Sequence, residues 1–324
     1  MNTGHNKTWY KIRPVDTFFF KGSTPMVMGE NHTSEFIFPP PAGAIAGAVR
    51  TAVLRQQDID FKTYTSKTYD NAEIISALGK ACDPPPFEIL GPILSKAGNI
   101  YLPAPFSWYM EKNDTSKEAA IPVYRGKPIE SSFIKTSKGK SFYIARGRDG
   151  ELLSMGGRWI KLNDFYSNGE SIRVRPLADF FVGEPRTGIA LENNRKVRES
   201  HLYTFNHIRF KKDVELVFGI SHKGQLPFSP NGILQLGAEK RLGCYETIEI
   251  DIYENQEGAG SYMSLSSLVC KDIDETSLIA TGKIQYIGGW DMKKGFHKPS
   301  CEFYPAGSVF TKNLNDNQIP IKGE

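Results

Sequence analysis

Six histidines, His5, His32, His201, His207, His222 and His297, carry the side chains of this 324-residue chain best suited to proton transfer near neutral pH. One imidazole acting on a 2′-hydroxyl is enough to cleave RNA. His201 and His207 share one face of a strand-like run, but six residues of extended chain separate them by about 20 Å, too far to serve one phosphate together. His32, in the loop KGSTPMVMGENHTSE, is the histidine to test if a nuclease activity exists. A structural or surface role is the favoured reading for all six.

Two glycine-flanked basic segments suggest phosphate contact rather than acid–base catalysis. In LGAEKRLG, Gly237 and Gly243 bracket Glu239, Lys240 and Arg241. Glycines let the backbone bring N–H groups close to a ligand while neighbouring cations neutralise phosphate. An ordinary hairpin reads the same way. GEPRTGIA, Gly183 to Ala190, presents Arg186 in a rigid turn, where its guanidinium either meets phosphate or pairs with a neighbouring carboxylate.

A third segment, FPPPAGAIAGAVRTAVLRQQ, reads as a helix that tolerates two glycines, each costing about 1 kcal/mol relative to alanine. At 100° per residue, Ile45, Val49, Ala52 and Val53 form an apolar stripe, and Gly43, Gly47 and Arg50 fall together on the other side. Bare backbone ending in a cation suits close approach by a phosphodiester chain or a second protein element. Phosphate-loop, dinucleotide, zinc-protease and nucleophile-elbow signatures are all missing from the sequence.

The elements around these segments have the order of an α+β sandwich. A strand is expected over Trp9 to Asp16, with Pro14 marking an edge or bulge. A short helix follows at Asn71 to Lys80, then paired strands in FEILGPILS and NIYLPAP. From about 111 to 148 the chain is polar and reads as an inserted arm, with Arg125, Lys127, Lys135, Lys138, Lys140, Arg146 and Arg148 set against Glu130 and interleaved with Phe133, Phe142 and Tyr143. It is either a solvated hairpin or an RNA contact. Further strands are expected at His201 to Arg209, Val214 to Ile220, Ile233 to Gln235, Cys244 to Tyr253, Leu278 to Gln285 and Glu302 to Phe310. Ile160 to Tyr166 and Ser264 to Leu268 are the short helical candidates.

Apolar residues make up 40% and charged residues 23%, with a net charge of +4, so an anionic partner is permitted but not required. Cys82, Cys244, Cys270 and Cys301 are too scattered for a metal knuckle and read as reduced thiols. No metal or other cofactor is expected. No apolar run is long enough to span a bilayer, and MNTGHNKTWYKIRP has no apolar signal region, which favours the cytoplasm.

WYKIRPVDTFFFKGSTPMVMG followed by FPPPAGAIAGAVRTAVL resembles the N-terminal signature of the RAMP superfamily of CRISPR proteins. With GEPRTGIALENN, HLYTF…IRF, LGAEKRLG, YIGGWD and YPAGSVF in the same order, the chain resembles the third-subunit family of the Cmr, or type III-B, effector complex. The resemblance implies two tandem ferredoxin-like (RRM-related) domains, placed at 1–160, with the basic insertion, and 161–324, with the glycine-rich loop. It implies a non-catalytic subunit that binds the 5′ repeat tag of the guide crRNA and contacts the large Palm-domain subunit and the backbone filament. The glycine-rich loop corresponds to Gly237 through Gly243, and the first-helix segment to Gly43 through Arg50. KGFHKP begins like an aromatic RNA-recognition run and then meets Pro299, so base stacking of the usual RRM kind is not expected. Two other readings remain open: a metal-independent endoribonuclease of the same superfamily, and a protein–protein adaptor whose RNA contacts come from its neighbours.

Overall fold

The computed structural model describes residues 6–22, 33–34, 36–81, 83–113, 119–129, 142–145, 150–167, 169–192, 194–253, 260–291 and 293–321. His5, His32, Cys82, Glu130, Phe133, Lys135, Lys138, Lys140, Arg146 and Arg148 lie outside them. The described chain is mostly β-sheet with few helices, an α+β architecture.

Chain contacts gather into two compact units. One holds Met1–Ile89, Phe180–Ile248 and Tyr286–Cys301; the other holds Leu90–Asp179, Glu249–Gln285 and Glu302–Glu324. The sequence reading divides the chain once, near residue 160. The units instead interleave, because strands that pair within one of them come from distant parts of the chain.

In the first unit, Asn6–Pro14 lies between Val214–His222 and Leu242–Ile248, antiparallel to both, and Asn231–Gln235 pairs with the outer face of the last. The Asn6–Pro14 strand is therefore central rather than an edge. Pro14 is tolerated as its final residue, opposite Gly243. The Ala42–Gln56 helix lies against this sheet: Gln56 donates to the Tyr245 hydroxyl at 2.8 Å and Arg55 to Gln235 Oε1 at 3.0 Å. Ile45, Val49 and Val53 are fully buried, as the apolar stripe requires. Tyr10, Phe218, Phe228 and Tyr245 form an aromatic cluster around the same sheet.

A long hairpin, Phe181–Leu191 with Val197–Phe210, makes a second sheet, with Thr33–Ser34 added in parallel. GEPRTGIA is thus part of a strand and not a turn. It runs along the sheet edge, where Pro185 costs no essential ladder bond. Thr17 to Phe20 crosses to this sheet: Phe18 and Ile208 exchange backbone hydrogen bonds of 3.0 and 2.7 Å, and all three phenylalanines are buried.

In the second unit, residues 90–96 of the strand Phe87–Lys96 turn back into Asn99–Pro103 through Ala97 and Gly98, both at positive φ, a two-residue turn whose twist suits a hairpin. Asn99–Pro103, Trp159–Lys161 and Val174–Arg175 follow in order, with the Leu162–Tyr166 helix stacking Phe165 on Trp108. Part of the expected polar arm is packed here: Ile121 and Val123 are buried, and Arg125 lies over the Trp108 ring at 4.8 Å. Lys127–Ile129 pairs with Phe142–Ile144.

Ser264 to Leu268 is not helical. Ser261–Ser264 pairs with Val309–Phe310 and Gln318–Ile321, and Leu268–Val269 pairs with Tyr304 and Phe303. In YPAGSVF, Gly307 has φ +91, and a Cβ there would sit 2.4 Å from the Ala104 carbonyl oxygen, so that segment is a packing motif. Among the described residues, no helix is long and apolar enough to cross a membrane.

Candidate nucleic-acid interface

Glu184 and Arg186 lie two residues apart on one strand, and Phe205, His207 and Arg209 alternate on its partner, with Glu184 opposite His207 and Arg186 opposite Phe205. The period of two puts all five on one face of the hairpin. Asp16 arrives from the end of the first strand, and the 237–241 turn brings Glu239 and Arg241.

Arg186 donates to Asp16 Oδ2 at 2.6 Å and to Glu184 Oε1 at 2.7 and 2.9 Å. Arg209 bonds Glu184 Oε2 and, at 2.8 Å, Asp16 Oδ1. Arg241 pairs with Glu239 at 2.7 Å and approaches Asp16 at 3.6 Å. Three guanidiniums therefore meet three carboxylates. The hydrogen bonds from Arg209 and Arg186 hold the Glu184 carboxyl down at about 2, and those from Arg186 and Arg209 lower that of Asp16.

His207 is completely buried beneath this cluster, its ring stacked 5.1 Å from Phe19. Nδ1 is 3.0 Å from the Thr17 hydroxyl. Nε2 lies 3.1 Å from Glu239 Oε2 without completing a hydrogen bond. The tautomer protonated at Nε2 points a hydrogen towards that carboxylate and lets Nδ1 accept from Thr17. Burial, then the charge of Arg241, pushes the imidazole pKa down, so the ring is neutral at pH 7.

The Gly237–Arg241 turn is shaped from within. Gly237 has φ +86, and a Cβ there would lie 2.5 Å from the Phe19 carbonyl oxygen; the next amide, of Ala238, donates to that same oxygen at 2.8 Å. Glu239 and Lys240 then both take positive φ, +55 and +53, the pattern of a type I′ turn made without glycine at either central position. Such conformations are costly for ordinary residues. The result is that Lys240 stands exposed at the tip, with no ion pair among the described residues.

The expected site residues thus separate into three kinds. Arg186 and Arg241, far apart in sequence, meet at Asp16. Gly237 and Lys240 belong to the turn above them, while Gly243 is buried, its missing side chain leaving room for Ile12 Cγ1 at 2.7 Å from a built Cβ. Gly43 and Gly47 lie on the helix with nothing within 4 Å of a built Cβ, an open backbone face. Arg50 turns inwards, donating to the Tyr64 hydroxyl at 2.9 Å, the Asp83 carbonyl at 3.1 Å and the Lys80 carbonyl. The cation at the end of the glycine stripe is therefore engaged in joining the helix to the 64–83 segment.

Asp16, Glu184 and Arg209 escape the sequence reading as site residues, while His207 takes the structural role favoured for it. The alternation of Glu184 with Arg186 was the available signal, hidden once GEPRTGIA was read as a turn; His207 and Arg209 lie on a strand that was expected, but its partner was not. Among the described residues, no group of three or more His, Cys, Asp or Glu is arranged to hold a metal ion.

A search among curated proteins returned no match. One chain of a cryo-EM structure of the Type III-B Cmr-beta complex bound to cognate target RNA superposes with a TM-score of 0.57 at 14% identity, covering 94% of this chain and 86% of that one. A chain of the same kind of complex bound to target RNA and AMPPnP gives 0.53 at 15% identity, covering 93% and 85%. These likenesses concern the fold. The family model described as CRISPR-associated protein (Cas_Cmr3) matches residues 10–267, which include the hairpin, the glycine-faced helix and the 237–241 turn, and the chain belongs to that family.

Proposed function

We propose that the chain is a non-catalytic subunit of a type III-B CRISPR effector that binds the 5′ repeat tag of the guide RNA and docks the large Palm-domain subunit and the backbone filament. The observation that carries this reading is the turn at Gly237–Arg241, which holds Lys240 exposed and without an ion pair among the described residues, on a chain of the Cas_Cmr3 family. Arg186, Arg209 and Arg241 set the turn's base through Asp16, Glu184 and Glu239, so the cluster positions the contact and Lys240 supplies the charge. The Ala42–Gln56 helix, uncapped by any side chain at its start and open at Gly43 and Gly47, offers a second face for RNA backbone or a partner subunit.

A strand followed by a helix packed on its sheet, Asn6–Pro14 then Ala42–Gln56, supports a ferredoxin-like first unit. The non-catalytic reading is supported by His207, whose imidazole is sealed from solvent. Incubating the protein with repeat RNA in chelator tests it: the RNA stays intact, whereas cleavage would replace the scaffold reading with an endoribonuclease. For the tag, Lys240→Ala should weaken binding several-fold and reduce the slope of log affinity against log salt by about 0.7, one phosphate contact on a single strand. Unchanged affinity and slope would remove the turn from the interface.

A further inference from the structure

Trp9, Trp108 and Trp159 are buried, but Trp290 is 51% exposed. It is the next-to-last residue of the strand Gln285–Asp291, whose partner Phe296–Tyr304 opens with Phe296, 67% exposed. The His297 ring lies 4.9 Å from Trp290 at 90° and 5.9 Å from Phe296, so the three rings form one patch. An isolated exposed aromatic needs no explanation, but a contiguous group marks a contact surface.

The described residues between the strands are tied back to Asp291. Asp291 Oδ1 accepts the backbone N–H groups of Lys293 and Lys294 at 3.0 Å each, and Gly295, at φ +61, donates to the Asp291 carbonyl at 2.8 Å. The one carboxylate of the tip is thereby used within the turn, while Lys293, Lys294 and Lys298 stand exposed around the rings. Lys293 also lines a cleft of about 220 Å³ with Lys67, Lys80 and Tyr69, and Asp83 is its single carboxylate. The Tyr69 hydroxyl has no hydrogen-bond partner among the described residues.

Flat apolar faces ringed by cations fit a ligand with flat apolar faces on an anionic backbone. An apolar protein patch would have to desolvate the lysines without repaying them. We propose that the tip of this hairpin is a binding site for single-stranded RNA, with bases stacked on Trp290 and Phe296 and a phosphate in the cleft among Lys67, Lys80 and Lys293. This is not the sheet-face stacking of an RNA recognition motif, and it does not depend on the tag assignment, which rests on Lys240.

Trp290 provides its own readout, since the other three tryptophans are shielded. Titrating the full chain with a ten-nucleotide oligoadenylate should quench its emission, and Trp290→Phe should abolish the quench while leaving the melting temperature unchanged. Phe296→Ala should weaken binding roughly 5- to 150-fold, the loss of one stacked base. The double variant K293E/K294E should lower affinity at least tenfold and reduce the salt slope by at least about 0.7, the one phosphate contact of the cleft. Lys240→Ala should leave the Trp290 quench intact, so failure of the tag assignment would not be mistaken for failure here. Emission unchanged at saturating RNA, followed by anisotropy, would overturn the site, as would wild-type affinity in both the K293E/K294E and Phe296→Ala proteins.

Discussion

A methyl group added at Gly47 meets nothing within 4 Å, whereas one at Gly243 meets Ile12 side-chain carbons at 2.7 and 2.8 Å. Gly47→Ala should therefore stabilise the protein by about 1 kcal/mol through helix propensity alone. Gly243→Ala should destabilise it by roughly 1–3 kcal/mol through overpacking. Denaturant melts of the two variants check both signs. At this scale the candidate site was only half legible. Glycine and arginine positions were visible as types, but the space around a glycine and the partner of an arginine are decided by residues remote in sequence, as Asp16 is from Arg186 and Arg241. Arg50 shows the same limit: its face of the helix was right, and its partners, Lys80 and Asp83, lie about thirty residues further on.

At the scale of elements, the second sheet holds a buried neutral imidazole under a charged cluster. The folded-state pKa of His207 lies below the unfolded value, so the unfolded chain binds more protons in the window between them. Its contribution to stability is complete above the ordinary histidine range and is lost as pH falls from there towards the folded value. The melting temperature should thus fall between about pH 7 and pH 5, and His207→Asn should flatten that slope. An equal slope in the variant would assign the pH dependence elsewhere. Glu184 and Asp16 behave differently: their lowered pKa values keep their ion pairs formed through this window, and that support is lost only on further acidification, towards about pH 2 for Glu184. Val214–His222 was legible as a continuous run of valine, leucine, phenylalanine and isoleucine, which is buried on both faces from Leu216 to Ser221. Phe181–Leu191 was not, since Pro185 and two glycines carry turn signals that an edge position renders harmless.

For the whole molecule, the open glycine face and the exposed turn are separable features, and variants can tell them apart. Gly47→Leu should leave the melting temperature close to that of the native protein while reducing either tag affinity or recovery with the large subunit in a reconstituted complex. Lys240→Ala should reduce only the RNA term. A Gly47→Leu protein competent in both assays would leave the stripe without a visitor.

The interleaving of the two units bears on how the chain is made. Residues 286–301 belong to the same unit as the first strand, so that unit cannot close on a ribosome until residue 301 has been translated. Within it, Asn6–Pro14 must wait unpaired until Val214–His222 and Leu242–Ile248 have been made, a state prone to mispairing. No single continuous fragment can be excised as either unit, and protease cleavage between them would leave nicked pieces held together rather than release a free domain.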